Sequence, residues 1–384
     1  MTSAGRYHSV LLQSDGTAVA CGLDADEQCS IPLLGEGMSY TQVSAGGECT
    51  MLLRSDGKVV ACGRNSKGQC TFSPLDTGIS YTQVSAGLLH TVLLRSDGTA
   101  VAFGLNRNGQ CNIPPLDEGM SYTQVSAGWN HTVLLRSDGW AVACGERGDG
   151  QCAFPPLEDG ISYTQVSAGW KHTVLLRSDG NVVACGDNDY GQIEVPSSSA
   201  GISFSQVSAG YNHTVLLQSD GCAVAFGANG DGECCLPWLE EGIVYTQISA
   251  GYAHTVLLRS DGKAVACGQN SFGQCDIPSP EPGICYTGNF PLSGDLVLQL
   301  DFVHEDDDIT LICSSMAGKE EMRLTAQSSD LARDTLKIIA RDLNVPSQSF
   351  RLVLPDGQLL ASICRSNPKL TLADAAEHGR SRHV

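Results

Sequence analysis

Six of the nine histidines and eleven of the 17 cysteines are the side chains here that could ligate a metal or serve as nucleophiles. His8, His90, His131, His172, His213 and His254 share one position of a repeating pattern, and Cys49 stands in that position once. The cysteines fall at two further positions: Cys21, Cys62, Cys144, Cys185 and Cys267, then Cys29, Cys70, Cys111, Cys152, Cys234 and Cys275. Their alternates are Phe103, Phe226 and Ile193, and a site that accepts Cys, Phe or Ile is an apolar packing site. Identical positions of a ring are expected to sit far apart, so dispersed imidazoles predict structural histidines bonded to neighbouring turns, not a metal centre. With no C-x-x-C pair, reduced thiols are expected rather than disulfides or zinc. Asp187-Asn188-Asp189-Tyr190-Gly191 opens like a calcium loop but lacks the closing bidentate Glu. No P-loop, G-x-S-x-G or H-E-x-x-H pattern occurs, so the expectation is a chain without enzymatic activity or cofactor.

The elements that carry these residues are repeats. Ser-Ala-Gly opens at Ser3, Ser44, Ser85, Ser126, Ser167, Ser208 and Ser249, a spacing of 41 residues each time, so seven copies fill residues 3–289. Each holds short β-type runs such as His-Thr-Val-Leu-Leu and Ala-Val-Ala-Cys between Gly-rich turns. Ser-Asp-Gly separates the two central runs in all seven, which predicts a tight antiparallel hairpin. About four short strands in a unit of this size make one propeller blade. A closed seven-bladed β-propeller is therefore expected, with an open solenoid as the competing architecture. Unit one lacks the Tyr-Thr-Gln-Val run that precedes the others, whereas Tyr286 and Thr287 follow unit seven, so the far end is expected to supply the missing strand.

Net charge is −19, from 23 basic and 42 acidic residues. Residues 1–289 hold 13 basic and 28 acidic residues (−15), and the remainder 10 and 14 (−4). Such a balance repels phosphate backbones and argues against a nucleic-acid partner. The apolar runs fall far short of the ~20 residues a membrane helix needs, and MTSAGRYHSV has no charged segment before an apolar core. The expected location is intracellular, cytoplasmic or nuclear. Asn130-His131-Thr132 and Asn212-His213-Thr214 match glycosylation sequons as by-products of the repeat.

The pattern G-x-x-H-T-x-x-L, then D-G, then A-C-G-x-N-x-x-G-Q resembles the regulator of chromosome condensation repeat. The short unit and its G-Q-C-x-I-P ending are similar to the compact repeats of beta-lactamase inhibitor protein II. Both resemblances imply a seven-bladed propeller. The founding family further implies nucleotide exchange on a small GTPase as an alternative function. Large HECT ubiquitin ligases resemble the chain in using such propellers, but the ~95 residues after the ring cannot hold a ligase domain. GWNHT and GWKHT resemble the plant ultraviolet-B photoreceptor, which implies photoreception as a third reading, although that receptor carries Arg where Asn130 and Lys171 stand.

What varies between units points to binding. After Ser-Ala-Gly stand Arg6, Gly47, Leu88, Trp129, Trp170, Tyr211 and Tyr252, with Asn130, Lys171 and Asn212 beside the aromatics. Sharing one face, these side chains would make the anchor-rich centre of a protein interface; alternatively each ring packs on its neighbouring blade. A second variable segment supplies Glu36, Asp76, Asp117, Glu118, Glu158, Asp159, Glu240, Glu241 and Glu281, an expected acidic rim.

Beyond residue 289 the repeat stops. Residues 290–308 read as a closing strand and acidic linker. Residues 309–376 show a hairpin, an amphipathic helix with Leu336, Ile339, Ala340 and Leu343 on one face, then R-L-V-L-P-D-G-Q-L-L and L-T-L-A-D. That order resembles the ubiquitin β-grasp, an α+β fold, without its last strand or its di-glycine tail; residues 377–384 form a tail. The resemblance implies Val353 at the centre of a recognition patch, with Leu352 behind it. The strand 296–300 either fills the missing place or serves the propeller. Together these features predict a non-enzymatic scaffold whose propeller binds a protein and whose ubiquitin-like domain links it to ubiquitin-pathway partners.

Overall fold

A computed structural model of the chain describes residues 1–197 and 201–287, and the backbone of strands at 296–305, 308–315, 320–327 and 350–353. Seven three-stranded antiparallel sheets, one per repeat, build the first of two compact units. In the second repeat these are β4 (Tyr40–Ala45), β5 (Cys49–Arg54) and β6 (Val59–Gly63). Each blade thus has three strands where four were expected. After β6 the backbone donors go to side chains instead of a fourth ladder: Cys70 N–H donates to Asn65 Oδ1 at 2.9 Å and Lys67 N–H to Gln69 Oε1 at 2.9 Å. The Ser-Asp-Gly hairpins form as expected. Gly57 N–H donates to Arg54 O at 2.9 Å, and Gly57 takes a φ of 74°, which a side chain would resist.

The middle strand of each blade is buried along its length because it lies between two neighbouring blades. Alternate side chains point to opposite neighbours. Val92 and Leu94 of the third blade pack with Tyr122, Val125 and Leu134 of the fourth, while Leu93 between them packs with Met51 and Tyr81. The core is therefore a circle of clusters between blades.

Hydrogen bonds tie the blades in a matching circle. Ser3 Oγ accepts from Ala45 N–H, and Ser44, Ser85, Ser126, Ser167 and Ser208 do the same for Ala86, Ala127, Ala168, Ala209 and Ala250, each at 2.9 Å. Ser249 completes the circle by accepting from Ala4 N–H at 2.9 Å. A second circle runs through glutamines: Gln124 Oε1 accepts from Val166 N–H at 2.8 Å, and Gln247 Oε1 closes it on Thr2 N–H at 2.9 Å. Where blade one has Met1 instead of glutamine, its sulfur lies 3.1 Å from Val43 N.

Blade one is closed by both chain segments. β1 (Thr2–Ala4) pairs with β2 (His8–Leu12), and Tyr286 continues the same edge by bridging to Gln13. Thr287 N–H donates to Leu12 O at 3.0 Å, and Tyr286 hydroxyl donates to Pro278 O as its counterparts do to Pro32, Pro114, Pro155 and Pro237. The far end thus supplies only the first two residues of the expected strand, and residues 1–4 supply the rest. Ala4, Leu11, Val256, Leu258 and Tyr286 form the closing cluster.

In the second compact unit, β22 (Leu296–Glu305), β23 (Asp308–Ser315), β24 (Glu320–Gln327) and β25 (Phe350–Val353) form one sheet in the order β24-β23-β22-β25. β22 runs antiparallel to β23 and parallel to β25, with Leu298 opposite Leu352 and Gln299 opposite Val353. The expected helix with Leu336, Ile339, Ala340 and Leu343, the turn near 371 and the tail lie outside the described residues.

The histidines form a polar layer across the blade contacts. His90, His131, His172 and His213 place Nε2 within 2.9–3.0 Å of Thr132, Thr173, Thr214 and Thr255 Oγ1 in the next blade, and His254 meets Ser9 Oγ at 3.0 Å. Thr132 hydroxyl in turn donates to Gln110 O at 2.7 Å, so the imidazole Nε2–H is the donor to threonine. All six imidazoles are fully buried, and burial lowers their pKa from 6.5 to about 4 in His8 and His131 and about 3 in His90, His172, His213 and His254.

Two predictions follow from these layers. Below pH 6.5 the unfolded chain takes up protons that the native histidines refuse. Stability is therefore complete above 6.5 and falls towards pH 4 by up to about 1.4 kcal/mol per pH unit for each histidine. Denaturant titrations from pH 7 to 4 should show that slope, and His131→Cys, which installs the residue that blade two already uses, should reduce it by one histidine's share. Ser126→Ala and Ser249→Ala should each cost about 1–3 kcal/mol by orphaning a half-buried N–H. Equal losses are expected because the ring is closed; an unchanged melting temperature for Ser249→Ala would mean an open array.

Candidate interaction site: the aromatic cap

At the Ser-Ala-Gly end of the blades a third circle of bonds fixes the variable residues. Trp129 N–H donates to Gly169 O at 3.1 Å, Trp170 to Gly210 O at 3.2 Å, Tyr211 to Gly251 O at 3.0 Å and Tyr252 to Gly5 O at 3.0 Å. Arg6, Gly47 and Leu88 donate likewise to Gly46, Gly87 and Gly128. The close approach requires glycine: a Cβ on Gly128 would lie 2.5 Å from Gly169 O. Because the backbone makes the bond, any side chain can follow it.

Side chains from this position meet, in contrast to the expected separation of identical positions. The reason is place: this residue is the innermost of its blade, and the circle is smallest there. Trp170 and Tyr211 stack at 4.0 Å with planes 6° apart, Tyr211 and Tyr252 lie at 4.2 Å, and Trp129 and Trp170 at 6.1 Å. Trp129 also reaches Tyr211 at 4.8 Å and Tyr252, three blades away, at 6.0 Å. The rings therefore both pack on their neighbours and share one face, uniting the two expected alternatives. All four are half-buried.

Arg6 belongs to this cluster. Its guanidinium lies 4.7 Å from the Tyr7 ring, 5.6 Å from Trp129 and 5.7 Å from Tyr252, geometry suited to cation–π attraction. Tyr7 extends the array to Phe272 at 5.1 Å. Sequence reasoning missed Tyr7 and Phe272. A comparison of the Asn-x-x-Gly turns would have found Phe272 and Tyr190, large apolar residues exposed by 45% and 56% where other blades carry polar ones.

Among the polar candidates, Lys171 Nζ lies 5.0 Å above the Trp170 ring and 3.3 Å from Asp149. Asn130 donates to Glu146 Oε2 at 3.0 Å. Asn212 is buried, and its Oδ1 has no partner among the described residues. Burial, reinforced by Tyr252, pushes the Tyr211 phenol up to about 12, so this residue presents a neutral hydroxyl at physiological pH. Leu352 and Val353 lie on β25 in the second unit.

The cysteines are less deeply placed than expected. All described cysteines are free, only Cys49 and Cys144 are buried, and Cys222 and Cys235 are exposed. Apart from Cys144 the repeated thiols are half-buried, and they donate to backbone carbonyls, Cys62 to Gln28 O of the preceding repeat at 3.5 Å and Cys111 to Leu105 O of its own at 3.3 Å. At the opposite end of the strands the acidic loops are partly paired. Arg136 bridges Asp117 at 3.2 Å and Asp138 at 2.8 Å, and Arg177 bridges Glu158 and Asp179.

The model of the Regulator of chromosome condensation (RCC1) repeat matches residues 40–69, 81–110, 122–151, 163–192, 204–233 and 245–274. Among curated proteins no sequence matches the chain. Solved structures of similar fold include Prp20p from Saccharomyces cerevisiae, studied for its binding to Gsp1p and histones (TM-score 0.55, 18% identity, 65% of this chain and 80% of that one). Human WBSCR16 is similar at TM-score 0.56 and 18% identity over 67% of this chain and 86% of that one. The CRINKLY WD40 ectodomain of the Arabidopsis thaliana receptor kinase ACR4 is similar at 0.57 and 16% over 72% and 97%. At such identities the likeness is one of fold. Six of the seven blades thus carry segments that match the regulator of chromosome condensation (RCC1) repeat.

Proposed function

We propose that the propeller is a non-enzymatic protein-interaction module whose aromatic cap is the binding face, and that the unit after residue 289 links it to ubiquitin-pathway partners inside the cell. The observation that carries this reading is the convergence of Trp129, Trp170, Tyr211, Tyr252 and Arg6 on one half-buried face. Trp, Tyr and Arg supply most of the energy at protein interfaces, because each combines a large apolar area with a directed polar group. These rings are already immobilised by one another, so little side-chain entropy is lost when a partner covers them. Prp20p, which shares the fold, has protein partners.

A second reading is nucleotide exchange on a small GTPase, favoured by the RCC1 repeats and the fold shared with Prp20p. Exchange would require the cap or the acidic loops to wedge open a nucleotide site.

Affinity capture with the full chain separates these readings. Trp129→Ala with Trp170→Ala should release the cap's partners by at least roughly tenfold, as expected for hot-spot anchors, with the far-UV circular dichroism of the blades retained. Val353→Ala should release a different set containing ubiquitin-pathway proteins. A bound set unchanged by either variant would defeat the scaffold reading. Acceleration of nucleotide release from a captured small GTPase would establish exchange.

A further inference from the structure

The turn that follows the last strand of each blade is filled differently in blade six. In the other blades a buried glutamine (Gln28, Gln69, Gln110, Gln151, Gln192 or Gln274) ends this turn, and its Oε1 accepts a backbone N–H, as Gln192 does from Tyr190 at 2.9 Å. Where Nε2 finds a partner, that partner is the first residue of the turn: Gln192 donates to Asp187 at 3.0 Å and Gln274 to Gln269 at 3.3 Å. The residue after the cap position meets the same first residue from the other side. Asn130 donates to Glu146 at 3.0 Å, and Glu48 accepts from Arg64 at 2.7 Å.

In blade six these three places hold Glu233, Ala228 and Asn212, and each departs from the pattern. Glu233 is only 4% exposed, and its Oε2 accepts from Asp231 N–H at 2.9 Å. Oε1, an acceptor, therefore stands where the other blades have the Nε2 donor. Among the described residues no Lys, Arg or His forms an ion pair with Glu233. Asn212 is 8% exposed, and its Oδ1 likewise lacks a partner there. Ala228, whose N–H donates to Asn212 O at 2.8 Å, is too short to reach either group. Two buried acceptors, one of them a carboxylate, thus flank a place that a longer side chain fills in the other blades. Buried charges need a counter-charge and buried acceptors need donors, so the matching group is a cationic donor. Blade two supplies one from its own chain, since Arg64 holds its guanidinium at this place against Glu48.

We propose that blade six carries a recognition pocket for an arginine side chain of the protein that covers the aromatic cap, an inference that rests on the cap being a binding face. The guanidinium enters over Ala228 and donates to Glu233 Oε1 and to Asn212 Oδ1. The last torsion of asparagine is broad, so the amide turns its oxygen towards the guanidinium at little cost. A planar fork with several donors suits two separated acceptors better than an ammonium does. The pocket adjoins the cap because Asn212 follows Tyr211 in the chain. Tyr190, 56% exposed, comes from the preceding blade at the position from which Asp149 meets Lys171, and it offers a ring face to the cation.

The experiment titrates the full chain with glycyl-arginyl-glycine, acetylated and amidated at its ends, and with the same peptide carrying citrulline or lysine, followed through the peptide signals by NMR. The arginine peptide should bind at least roughly tenfold more tightly than the citrulline peptide, which has nearly the same shape without the charge, and more tightly than the lysine peptide. Glu233→Gln, which installs the residue of the other blades, should abolish the preference for arginine and leave the melting temperature no lower than that of the native chain. Ala228→Gln, which fills the place from the chain itself, should weaken arginine binding to the same extent. Equal binding of the arginine and citrulline peptides, tighter binding of lysine, or a preference that survives Glu233→Gln overturns the proposal. Any of these results, obtained while Trp129→Ala with Trp170→Ala still releases the cap's partners, overturns the pocket alone and leaves the cap standing.

Discussion

The bond from Ala4 N–H to Ser249 Oγ spans 245 residues and turns a row of repeats into a ring. Each repeat has a middle strand that must be covered on both faces, so an isolated unit cannot bury its own apolar side chains. In a row, two such faces would remain exposed at the ends. Closure removes both, because Leu11 and Tyr286 meet Val256 and Leu258 as any two neighbours do. The entropy of joining distant chain segments grows only with the logarithm of the loop, whereas the covered area is that of a whole blade face. Splitting the strand between residues 1–4 and 286–287 makes the register of blade one depend on both segments at once.

The regularity of the ring explains how much of it was legible beforehand. Seven Ser-Ala-Gly segments at one spacing dictate seven blades, and Ser-Asp-Gly dictates the hairpin because only glycine accepts the left-handed turn at that place. The closing residues Tyr286 and Thr287 were readable as a displaced copy of Tyr40 and Thr41. The count of strands was not, because Asn65 and Gln69 look like ordinary turn residues until their side chains are seen to take the backbone donors of the missing fourth strand. Nor was the meeting of Trp129 with Tyr252, since sequence gives the order of positions around a circle but not its radius. The thiols were read as core from their alternates Phe and Ile. Their half-burial reflects a contact between blades near the surface, where apolar substitution is tolerated without full enclosure.

The same bonds that enforce symmetry release the cap from it. Serine, glutamine and histidine layers use side chains, so those positions are held to a narrow choice. The cap circle runs through backbone N–H and glycine carbonyls, so the side chain that follows is free of any structural duty. Individuality is thereby concentrated at the one radius where residues from non-adjacent blades touch. A patch of this kind is rigid because its Cα positions are fixed by the ring, and asymmetric because its side chains are not.

Blade two shows how that asymmetry is produced. It carries the smallest cap residue, Gly47, and beside it Glu48, which binds Arg64 at 2.7 Å and Arg6 at 3.7 Å. Even a Cβ at residue 47 would lie 2.6 Å from the Leu88 side chain, so glycine is the residue that fits there. Arg6 is held from blade two by a carboxylate and laid against rings supplied by blades four and seven. The cation therefore joins the aromatic arc from the side on which the arc is interrupted.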